Sequence, residues 1–145
     1  MNKIISLISL LLLIPSAFAL DIEVTDPYMR ELIPGTQVTS AYMTIKNSGD
    51  KDITFTSVTS AVSEKIEIHE HTMKDGMMQM GKLDSIIIKA GEDVTLQPHG
   101  LHLMVFNPTM PVKAGQQVDV VLHFDNEQQT TVTMPVKGLK PAHNH

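Results

Sequence analysis

The chain has 145 residues and a formal net charge of −5, with 42% hydrophobic and 19% charged side chains. This is the length of one domain, apolar enough to bury a core and too acidic to bind nucleic acid through a phosphate-neutralising surface. The absence of cysteine excludes disulfides, thiolate zinc sites, iron–sulfur clusters, covalent haem attachment, a cysteine nucleophile and a type 1 copper centre, whereas ten methionines and seven histidines leave thioether and imidazole as donors.

Residues 1–19 read as a secretory signal peptide. Lys3 supplies a short positive region, Ile4 to Ile14 an apolar run, and Pro15-Ser16 a break before Ala17-Phe18-Ala19, which fits an A-x-A cleavage site. The run is shorter than the ~20 apolar residues of a spanning helix. The mature chain is therefore expected in a periplasm, soluble and not membrane-spanning, an oxidising compartment in which a free thiol is a liability. No cysteine follows the run, so lipid attachment to a new N-terminal cysteine is not expected.

Along the mature chain, short stretches alternate apolar and polar residues with period two. They cover residues 22–24, 38–46, 53–58, 65–72, 77–80, 83–89, 94–96, 101–106, 118–124 and 130–136. Turn signals separate them: Pro34-Gly35, Asn47-Ser48-Gly49-Asp50, Asp75-Gly76, Ala90-Gly91, Pro98-His99-Gly100 and Lys113-Ala114-Gly115. Many short strands at such spacing predict a single all-β domain over residues 20–136, a sandwich or barrel. Residues 137–145 read as a flexible tail, and its His143 and His145 would make at most a weak Cu(II) pair.

The informative stretch runs from Lys65 to Phe106. Alternation in a strand places Ile66 and Ile68 on one face and His69, His71 and Met73 on the other. Asp75-Gly76 is a two-residue hairpin signal. Folding the chain there opposes Lys74 with Met77, Met73 with Met78 and His71 with Met80, and leaves His69 diagonal to Met80. In Leu101-His102-Leu103-Met104 the leucines take one side, and His102 and Met104 the other.

Thioether sulfur is a soft neutral donor that suits Cu(I) or Ag(I) and binds Zn²⁺, Mg²⁺ or Ca²⁺ poorly, and imidazole also suits copper. Single methionines are more often core fillers, so Met43, Met110 and Met134 are assigned to core or surface packing, and His99 and His123 to the surface. The clustered residues are different, because several of them share one face. A pair of histidines with two or three methionines favours holding Cu(I) over the nitrogen- and oxygen-rich ligation of a Cu(II) enzyme. Neither a GxSxG nor an HExxH motif is present. A binding protein rather than an enzyme is expected.

These residues carry a resemblance. His69, ten residues, Met80, twenty-one residues, then His102-Leu103-Met104 is the H-x10-M-x21-H-x-M spacing of the periplasmic copper chaperones called PCuAC. Ala41-Tyr42-Met43-Thr44-Ile45-Lys46-Asn47 resembles that family's second strand, and Pro98-His99-Gly100-Leu101-His102-Leu103-Met104 its ligand-bearing turn, with His99 where glycine is frequent. The similarity spans roughly Asp21 to Val136. It implies a cupredoxin-like Greek-key β-barrel or sandwich with His69, Met80, His102 and Met104 as Cu(I) ligands. His71, Met73 and Met78 are further candidates on the same face. It also implies delivery of copper to a copper-acceptor protein in cytochrome c oxidase assembly. The same donors would serve a copper or silver scavenger without a dedicated partner. A monomer is expected.

Overall fold

The computed structural model describes residues 21–139. The signal peptide reading, and His143 and His145 of the tail, fall outside the described residues. Ten strands follow one another: β1 (Ile22–Arg30), β2 (Val38–Asn47), β3 (Ile53–Thr59), β4 (Lys65–Lys74), β5 (Met77–Leu83), β6 (Ile86–Ile88), β7 (Asp93–Leu96), β8 (Leu101–Phe106), β9 (Gln117–Phe124) and β10 (Gln129–Lys137). There is no helix among the described residues, and so none long and apolar enough to cross a membrane.

One half of the molecule runs β5-β4-β8-β2-β1, with β7 paired to part of β2. The other half runs β10-β9-β3-β6. A short parallel pairing of β1 with β10, Met29 beside Val136 and Arg30 beside Lys137, joins them. The halves fold over a common core to which Ile45, Ile68 and Leu103 come from the first and Phe55, Leu122 and Met134 from the second. Burial of each such side chain contributes about 1.5–3 kcal/mol, which is what closes the sheet on itself. The architecture is the expected all-β, cupredoxin-like sandwich in a single domain.

Alternation decides what each strand offers to the outside. In β2, Thr39, Ala41, Met43 and Ile45 are buried toward the core, so Ser40 and Tyr42 belong to the opposite face. In β8, Leu103 and Val105 are core residues, and His102 and Met104 belong to the other face. The β4–β5 hairpin turns at Asp75 and Gly76, whose φ values of +51° and +74° are the paired left-handed conformations of a type I′ turn. Met73, Met77 and Met78 at its end are exposed.

Strand limits depart from the sequence reading where a breaker was absorbed or an apolar run was too long. β1 does not stop at Val24 but continues through Asp26-Pro27 to Arg30, because a bulge between Thr25 and Tyr28, with Asp26 at φ +51°, accommodates them. The stretch 83–89 is not one strand: Leu83 closes β5, and only Ile86–Ile88 pair with β3. Met43 and Met134 are core residues, and Met110 lies exposed on the surface. His123 hydrogen-bonds through Nε2 to the Thr59 hydroxyl at 2.7 Å.

Candidate metal centre

Three strands carry the His and Met residues, with β4 in the middle, β5 on one edge and β8 on the other. The registers anticipated for the hairpin are the observed ones: Lys74 faces Met77, Met73 faces Met78 and His71 faces Met80. Across the other edge of β4, His69 faces His102 and Glu67 faces Met104. Residues two apart on one face lie ~7 Å apart along a strand. The face is therefore built in three rows. Met80 and His71 occupy the first, His69 and His102 the second, and Glu67 and Met104 the third.

The structure thus brings His69, Met80, His102 and Met104 to one face, with the imidazole pair in the middle row and one thioether in each flanking row. The ring centroids of His69 and His102 are 6.0 Å apart. Met73 and Met78 lie farther out along the hairpin, at 66% and 56% exposure, in a row beyond His71 and Met80.

Hydrogen bonds fix which ring nitrogens are free. His102 is buried, and its Nδ1 lies 3.0 Å from the Gly100 carbonyl oxygen. A carbonyl only accepts, so Nδ1 carries the hydrogen and the neutral ring keeps its lone pair on Nε2. Burial holds this imidazole below its ordinary pKa of 6.5, the bond to Gly100 opposes that shift, and His71 and His69 add to it. The neutral form so favoured is the one that ligates metals. His69 is oriented the other way round. Its Nε2 donates to Oε2 of Glu67 at 2.8 Å, and its Nδ1 is buried without a hydrogen-bond partner.

Glu67 adds a charge to the face. The hydrogen bond from His69 holds its carboxyl below the usual carboxylate range, against a smaller opposing effect of burial. Lys65 and Lys82 lie 3.6 and 3.7 Å from Oε1 and favour the anion further. Four neutral donors alone would leave a monovalent ion with an uncompensated charge, and this carboxylate would offset part of it through His69. Its place was readable from the sequence, since Glu67 and His69 have the same parity in β4, but the bond itself was not.

A cavity of about 230 Å³ opens beside the rows. His71, His102 and Met80 line it, Tyr42, Ser40 and Arg30 wall it from β2 and β1, and Pro98 and His99 cap it from the loop before β8. His99, assigned to the surface from sequence, is exposed and also a wall residue of this cavity. It adopts φ +67°, a left-handed conformation that glycine takes without strain. The contributions of β1 and β2 had no sequence signal, because nothing in a strand's own pattern names its neighbours. Among the described residues no group of three or more His, Asp or Glu side chains is placed to hold a metal ion, so an ion held here would draw on thioether.

Residues 22–136 match the model of the LpqE-like family. A protein of Leifsonia xyli subsp. xyli named as a lipoprotein, Lxx21020, is 30% identical over 112 residues, which cover 77% of this chain and 68% of that protein. Among solved structures, the copper-bound PCuAC domain from PmoF2 superposes with a TM-score of 0.70 at 21% identity, over 82% of this chain and 94% of that one. The solution structure of CuI-DR1885 from Deinococcus radiodurans is 26% identical with a TM-score of 0.62, over 85% of this chain and 83% of that one. These likenesses bear out the resemblance to PCuAC proteins read from the sequence. The chain belongs to the LpqE-like family.

Proposed function

We propose that this LpqE-like chain is an exported Cu(I) carrier of the periplasm that takes up one ion per chain and gives it to a copper-acceptor protein in oxidase assembly. His69, Met80, His102 and Met104 would be the ligands. The observation that carries the reading is the pairing of His69 with His102 across β4 and β8, with a free ring nitrogen on each and a thioether in either flanking row. Two soft sulfurs with two imidazoles suit Cu(I), or Ag(I), better than the hard divalent cations. The copper-bound state named for the PmoF2 domain and for DR1885 supports the same cargo here.

The function consists of binding and release, with no chemical step. Release to another protein requires donors that a partner can reach, and of the two proposed ligands that line the cavity Met80 is half exposed and His102 buried. X-ray absorption on the Cu(I)-loaded protein is expected to count two sulfur and two nitrogen donors. His102→Ala is expected to lose Cu(I) binding almost entirely. Unchanged stoichiometry and affinity in that variant would remove the assignment. Delivery is tested separately, by asking whether the loaded protein restores oxidase assembly in a copper-starved strain lacking the gene. A scavenger would bind copper equally well and restore nothing.

A further inference from the structure

We infer that His71, Met80 and His102 form a second, outer copper position at the cavity mouth, through which the ion enters and leaves the ligand set proposed above. This deepens that proposal and rests on it.

The register argues for it first. Met80 faces His71 directly and His69 only diagonally, the residue opposite His69 being Lys82. Directly opposed side chains have Cβ atoms ~4.5–5.5 Å apart, whereas diagonal neighbours stand at ~7–8 Å. By register, the histidine that stands nearest Met80 across the hairpin is therefore His71. The ring contacts agree. His71 meets His102 edge-on with centroids 5.0 Å apart, closer than the 6.0 Å between His69 and His102.

The cavity gives the second argument. His71, Met80 and His102 line it, while His69 and Met104 do not. An ion arriving from solvent meets these three donors before it can reach His69, whose Nε2 is tied to Glu67. The third argument is an orphaned atom. Nδ1 of His71 is buried and has no hydrogen-bond partner. A buried polar atom left unpaired is destabilising, and a ligated ion would satisfy it.

The two positions share His102 and Met80. An ion can thus exchange the His71 lone pair for those of His69 and Met104 while two ligands stay bound, and its oxidation state does not change. His71 would be the ligand an acceptor replaces first.

The test follows the histidine ring nitrogens by long-range ¹H–¹⁵N spectra of the ¹⁵N-labelled protein, titrated anaerobically with Cu(I) and in parallel with Ag(I). In the unmutated protein, Nε2 of His102 and Nδ1 of His71 are both expected to shift within the first equivalent. His69→Ala is expected to retain one ion, with the His71 shift enlarged. His71→Ala is expected to keep one ion and surrender it to a competing chelator several-fold more slowly. If His102 shifts and His71 stays unmoved, both in the unmutated protein and in His69→Ala, the outer position is wrong and the copper reading stands. If neither ring responds to Cu(I), both fall.

Discussion

Glu67 shows how one residue can set up a proposed ligand without being one of the four proposed here. Its carboxylate accepts the Nε2 hydrogen of His69, which fixes the tautomer, orients the ring and presents Nδ1. Glu67→Gln keeps an oxygen that can accept the same hydrogen bond but removes the charge. Cu(I) affinity, read by competition with a chelator, is expected to fall by roughly tenfold in this variant and further in Glu67→Ala, at the lower and upper parts of the range for such supporting partners. The fold is expected to be unaffected, because Glu67 lies on the outer face, away from the core residue Ile68. Equal affinity in all three proteins would show that the carboxylate contributes neither charge nor orientation.

The hairpin is the element whose register was readable in advance, and the reason is chemical. Asp75-Gly76 demands left-handed φ at both turn positions, which few residue pairs supply, so the turn pins every pairing from Lys74 and Met77 back to His71 and Met80. A one-residue slip would send the same side chains to the opposite face. Gly76→Val places a β-branched residue at φ +74° and is expected to cost the hairpin about 1–2 kcal/mol or more, with Gly76→Asn much milder. Hydrogen exchange should show faster exchange of the β5 amides in Gly76→Val, with β9 and β10 unchanged, and Cu(I) binding should weaken with it.

What the strand patterns did not reveal is equally physical. The β4–β8 pairing joins stretches separated by the whole of β5, β6 and β7, and alternation within a strand carries no record of its neighbour. The shared face of His69 and His102 therefore came into view through the spacing resemblance rather than through periodicity. The cavity wall from Tyr42, Ser40 and Arg30 lay outside both signals. β1 extends past residues 22–24 for a related reason: the alternation there ends at Val24, and only the pairing of Tyr28 with Tyr42 and Met29 with Ala41 shows the strand resuming after the bulge.

At the scale of the whole molecule, the candidate ligands come from the β4–β5 hairpin and from β8, which lies beyond β6 and β7 in the chain and meets β4 only when this half of the sandwich is assembled. Ile68 and Leu103, the inward neighbours of His69 and His102, are core residues, so the packing that builds the domain also sets the register of the two imidazoles. An ion that needs this arrangement binds the folded chain and has little affinity for the unfolded one. Free Cu(I) at a hundredfold above its dissociation constant should then stabilise the fold by about 2.7 kcal/mol. For a domain of this size that corresponds to a rise of roughly 10 °C in Tm. Anaerobic calorimetry with buffered Cu(I) or Ag(I) measures it, and Zn²⁺ at matched free concentration should raise Tm much less, because it gains little from Met80 and Met104. An equal rise with Zn²⁺ would mean that imidazole alone holds the ion and that the thioether rows contribute nothing to selectivity.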